Sequence, residues 1–88
     1  MTTIRRLVLD VMIPLNVPST ELALKLSKIR GVDGVDLIVT EVEHKVEKAK
    51  ITIEGEDIDL DDVKSMLDKA GVSLQGVDRI SCGKKLVG

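Results

Sequence analysis

The 88-residue chain contains no Phe, Tyr or Trp. Proteins that read single-stranded nucleic acid stack bases on such rings, at about 1–3 kcal/mol per contact, so that mode of recognition is excluded. Basic residues are not in excess either: 13 Lys and Arg stand against 15 Asp and Glu, for a formal charge of −2. Without a basic stripe, the phosphate-neutralising attraction that dominates nucleic-acid affinity is missing, and no nucleic-acid partner is expected. Cys82 is the one cysteine, which rules out an internal disulfide and argues against a stapled secreted domain. No secretory leader is read. Arg5 and Arg6 precede an apolar stretch, but Asp10 interrupts it, Pro14 and Asn16 end it, and no small-residue cleavage site follows. Nowhere do about 20 apolar residues run together, so no membrane-spanning helix and no membrane partner are expected. The expected location is cytoplasmic.

What the chain does have is aliphatic side chain. Val, Leu and Ile make up 31 of its 38 apolar residues, ample for the core of one domain over residues 1–88. Ile4 to Ile13 alternates, with Leu7, Leu9, Val11 and Ile13 on one face and Arg6, Val8, Asp10 and Met12 on the other. Period two predicts a strand. Pro18 suits a first helical turn, with Ser19 or Thr20 as cap, and Leu22, Leu26 and Ile29 recur at helical spacing up to a stop at Gly31. Val35 to Val42 is β-branched and predicts a second strand. After a loop from Glu43 to Glu47 comes a third, Lys48 to Glu54, with Ala49, Ile51 and Ile53 on one face. Asp59 is a helix cap, Ile58 and Val63 form the halves of a hydrophobic staple, and Gly71 ends the second helix. Leu74 to Cys82 closes the series, kinked at Gly76.

The order β-α-β-β-α-β with short connections defines an α+β class and a ferredoxin-like two-layer sandwich. It implies a four-stranded antiparallel sheet of order 4-1-3-2 with both helices on one face. The other face is not cleanly polar: the first strand offers Val8 and Met12, and the second carries Val35, Leu37 and Val39 against Ile38 and Val42. A small domain gains by burying more surface through association, so a homo-oligomer using this face or the edge strands is expected.

Candidate chemistry is sparse. Asp10 lies mid-strand among apolar residues, and the expected order brings Asp78 beside it. Two carboxylates at one place need a cation, a proton, or bases such as Arg6 and Arg79. Asp10 and Asp78 are therefore the leading metal-site candidates, for Ca²⁺ or Mg²⁺. Glu56, Asp57 and Asp59 are weaker ones: the spacing of Asp57, Asp59 and Asp61 matches a calcium loop, but Asp62 stands where the loop needs Gly, and acids at a helix start have a capping role. His44 reads as a solvated loop residue, and Cys82 as a buried or half-buried structural thiol. No Ser-His-Asp set, nucleophile elbow or phosphate loop is present, and no catalytic residue is assigned. Among ferredoxin-like families, the loop from Pro14 to Pro18 lacks the thiols of heavy-metal-associated domains and the arginine of acylphosphatases, while regulatory amino-acid-binding domains remain compatible.

Four stretches resemble one family: Ile4 to Val11 with Pro14 soon after, Leu26 to Val35, Ile53 to Gly55 followed by Leu60 to Val63, and Val77 to Ile80. They resemble the archaeal domain of unknown function 211 family. The resemblance implies an oligomer-forming ferredoxin-like fold and brings no activity with it. Asp10 and Asp78 stand where its pattern also places aspartates, whereas Arg79 replaces an acid and Cys82 is particular to this chain. Three functions are carried forward: an oligomeric binding or regulatory module with a cation or small-ligand site between subunits, a purely structural assembly protein, and an enzyme with a carboxylate site between subunits.

Overall fold

The computed structural model describes residues 3–88. The elements are β1 (Ile4–Pro14), α1 (Ser19–Ser27), β2 (Val32–Glu43), β3 (Val46–Gly55), α2 (Leu60–Ala70) and β4 (Ser73–Cys82). They form an antiparallel four-stranded sheet of order β2-β3-β1-β4, the expected order read from the other edge. Alternation in the two central strands builds one side of the core. Leu7, Leu9, Val11 and Ile13 of β1 are fully buried beside Ala49, Ile51 and Ile53 of β3, and Leu22, Leu26, Val63 and Leu67 of the two helices close over them. Burying each such Leu, Ile or Val side chain contributes about 1.5–3 kcal/mol, which holds the helices to this face.

The helix ends differ in how they are made. Asp59 caps α2 as expected: its Oδ1 accepts from the backbone N–H of Asp61 at 2.9 Å and Asp62 at 3.4 Å. Gly71 ends that helix at φ 77°, where a side chain would be strained. At α1 the cap residue is Pro18 and no side chain caps, so neither Ser19 nor Thr20 has the predicted role. The helix also stops at Ser27, short of Gly31. Lys28 and Ile29 donate three residues back, to Lys25 and Leu26, because the last turn tightens before the chain reaches the glycine.

Strands run longer and less regularly than the pattern indicates. β2 starts at Val32, before the predicted Val35, and the β2–β3 loop shrinks to His44 and Lys45, with Lys45 at φ 73°. Register shifts interrupt β2 between Val32 and Gly34 and between Val39 and Glu41. The second shift reverses the alternation, so Val42 pairs with Glu47 on the helix-bearing side rather than beside Ile38. In β4 the extra residues are Gln75 and Asp78, flanking the pair Gly76–Val77, so the predicted single kink is two bulges.

Candidate functional site

Antiparallel register decides what shares the helix-free side of the sheet. Across β1 and β3, Arg6 faces Glu54, Val8 faces Thr52, Asp10 faces Lys50 and Met12 faces Lys48. On the outer strands Ile38 lies opposite Lys50, Glu41 opposite Lys48, Arg79 opposite Val8 and Gly76 opposite Asp10. Opposite charges directly across a pair attract. The Arg6 Nε donates to Glu54 at 3.1 Å, and the Lys48 Nζ reaches Glu41 at 3.3 Å and Glu43 at 3.1 Å. The side expected to be not cleanly polar is thus crossed by ion pairs. Val8 and Met12 sit half-buried beneath them, and Ile38 is the apolar side chain left open.

At the centre, Asp10 and Asp78 do come to one place, and a base joins them. The Lys50 ammonium donates to Asp78 Oδ2. Asp78 is an extra residue of β4 between the partners of Val8 and Leu9, and Lys50 reaches it across β1. Hydrogen bonding to Asp78, with the charges of Asp78 and Asp10, raises the Lys50 pKa above its ordinary value. Both partners are largely solvated, at 49% and 39% side-chain exposure, which places this pair among surface ion pairs of modest strength. The compensating cation is neither Arg6, which holds Glu54, nor Arg79. Lys50 was legible in principle: it lies at the middle of β3 as Asp10 does of β1, and the antiparallel register of these two central strands sets them opposite.

The weaker metal candidates lie elsewhere. Asp59 spends its Oδ1 on the α2 cap, and Asp57 adopts φ 90° in the turn before it. With Ile4, Arg30, Ile58 and Asp62 they line an open recess of about 530 Å³. Among the described residues no three His, Cys, Asp or Glu side chains converge as a metal site would require. A second hollow of about 250 Å³ lies on the helix-free side, bordered by Asp10, Met12, Glu43, Lys48 and Gln75. There Lys48 pulls the Glu43 carboxylate below its ordinary range, and Glu43 in turn raises Lys48. His44 is exposed in the hairpin turn. Cys82 is an exposed free thiol, not a buried one, because it sits at the end of an edge strand beyond the cover of the helices.

Among the described residues no helix is long and apolar enough to cross a membrane. An archaeal relative, Uncharacterized protein MJ0319 of Methanocaldococcus jannaschii, is 36% identical over 87 residues, covering 99% of this chain and 90% of the relative. The model of the DUF211 family, described as Uncharacterized ArCR, matches residues 5–88. The chain belongs to that domain of unknown function 211 family.

Proposed function

We propose that the chain is a self-associating binding module rather than an enzyme, and that copies meet along the edges of its sheet. The observation behind this reading is that the outer strands carry exposed apolar side chains. Ile38 and Val42 on β2 are 57% and 66% exposed, and Val77 and Ile80 on β4 are 43% and 52% exposed. β2 and β4 are the outer strands, each with one row of backbone N–H and C=O groups that no strand of the sheet pairs. Such edges template association unless they are covered or blunted. Apolar side chains beside them add about 25 cal/mol for each Å² they remove from water. The ion-paired centre of the helix-free face is the poorer contact, since its charges would have to be desolvated.

A divalent cation at Asp10 and Asp78 would have to displace the Lys50 ammonium. We therefore assign those carboxylates to tying β1, β3 and β4 together, and any small ligand to the hollows that a neighbouring copy would border. Size-exclusion chromatography with light scattering at micromolar protein tests the reading. The expected mass is a multiple of 9.6 kDa; a monomer at every concentration overturns it. Thermal melts with millimolar Ca²⁺ or Mg²⁺ test the assignment of the carboxylates. The melting temperature should stay put, and a rise that grows with cation concentration would restore the metal site.

A further inference from the structure

We infer that Asp33 is a site of spontaneous backbone rearrangement, at which the folded chain converts its own Asp33–Gly34 peptide into an isoaspartyl linkage. Sequence sets the chemistry. An aspartyl carboxyl can be attacked by the amide nitrogen of the next residue. A side chain on that residue hinders the approach, and glycine has none. Among the aspartates only Asp33 precedes a glycine; the others precede larger residues such as Val11, Leu37 and Arg79, and Asn16 precedes Val17. The step needs no co-reactant but water. The Gly34 nitrogen bonds to Asp33 Cγ, the Cγ–OH bond breaks, and the hydroxyl leaves with the amide proton as water, closing a five-membered succinimide. Water then opens the ring. Breaking the new bond from nitrogen to Cγ restores aspartate. Breaking the bond from the same nitrogen to the Asp33 main-chain carbonyl carbon leaves the chain running through Cγ, with the α-carboxylate as the side arm.

The fold gives Asp33 the freedom to react. β2 shifts register between Val32 and Gly34, so Asp33 is the extra residue and has no partner on β3. A bulge leaves its extra residue unpaired and the ladder locally broken, which frees the torsions that turn Cγ toward the Gly34 nitrogen. β2 is an outer strand, so no strand of the sheet lies on its far side. Asp33 and Gly34 are both exposed, and a methyl group on Gly34 would meet nothing within 4 Å, which leaves room for the ring and for water. The Asp33 carboxylate makes no ion pair and no side-chain hydrogen bond among the described residues. Other aspartates are held. Asp59 caps α2, Asp78 takes Lys50, and the amide that follows Asp57 donates to Ile4 at 2.9 Å. The added backbone carbon of an isoaspartate enters β2 where the strand already accommodates an extra residue. The reaction stays within one chain and does not rest on the self-association proposed above.

The test incubates the chain in heavy-oxygen water at neutral pH, once folded and once unfolded in guanidinium chloride, and then digests it with trypsin in ordinary water. Circular dichroism checks that the first sample stays folded. Cleavage after Arg30 and Lys45 releases residues 31–45, which carry Asp36 as an internal control beside Asp33. The inference expects an isomer of this peptide, separable by chromatography and heavier by solvent oxygen at position 33. It should accumulate in the folded chain within about tenfold of its rate in the unfolded one, because opening two residues at a bulge is a local event. A larger lag means that the strand holds Asp33 rigid and overturns the inference; at about a thousandfold or more the reaction runs only through global unfolding. Gly34→Ala, for which the position has space, should lose most of the product in both samples. The inference also fails if Gly34→Ala leaves the rate unchanged, if Asp36 rearranges as fast as Asp33, or if neither sample forms the isomer.

Discussion

A methyl group added to Gly55 would lie 1.9 Å from the carbonyl oxygen of Gly31, and that oxygen already accepts the Glu56 N–H at 3.0 Å. Neither backbone can give way without breaking the other's bonds. Gly55→Ala should therefore destabilise the fold by about 1–3 kcal/mol, the range for overpacking. Gly34→Ala, where a methyl group meets nothing within 4 Å, should be neutral or stabilise by about 0.4–1 kcal/mol. Urea denaturation midpoints of the two variants check the contrast. Lys50 gives a second test among single residues. Lys50→Met should lower the melting temperature at neutral pH by a few degrees, as expected for one solvated ion pair. Because the folded pKa of Lys50 is raised, its contribution is complete below the ordinary lysine value of 10.5 and fades as pH climbs through the higher folded value. The parent and the variant should thus converge in strong alkali.

Among elements, the two helices show how much a cap decides. α2 has the Asp59 carboxylate on its first turn, and α1 has no side-chain cap. Asp59→Ala should cost about 1 kcal/mol, a fall of about 4–8 °C in melting temperature, readable by calorimetry. These same elements show what a sequence discloses. β1, β3 and α2 were legible because period-two alternation, the Asp59 cap and Gly71 are local signals that the observed structure uses unchanged. The end of α1 was misread because Gly31 does adopt a positive φ, 90°, but four residues after the helix has stopped. The extra residues Gln75 and Asp78, and the reversal that moves Val42 to the other side, were hidden for a different reason. A bulge is settled by pairing with the neighbouring strand, and nothing in the strand's own pattern announces it. The candidate site was half legible on the same account. Asp10 and Asp78 could be placed on neighbouring strands from strand order alone, while the reach of Lys50 needed the register and the bulge at Asp78.

At the scale of the whole molecule, the sheet has two unlike sides. One is sealed by helices over buried aliphatics, and the other is crossed by the pairs Arg6–Glu54, Lys48–Glu41, Lys48–Glu43 and Lys50–Asp78. Stability in acid should report on the second side. Lys48 holds the folded pKa of Glu43 below its ordinary 4.5. A carboxylate so lowered contributes stability above its unfolded value and loses it as pH falls through the folded one. Lys48→Met should therefore flatten the acid limb of the stability curve below about pH 4.5, measured by denaturant titration at a series of pH values.

The corner where Gly31 and Gly55 touch has a kinetic consequence. The Glu56 amide bonds to Gly31, and the Ile58 amide bonds to Ile4 at 2.9 Å. This short connection therefore pins the start of β1 and the approach to β2 at once. None of the three segments can fray by itself. In deuterated solvent the Glu56 and Ile58 amide protons should be lost as slowly as those of the central strands, although both sit outside any helix or strand, because only a global opening of the fold releases them.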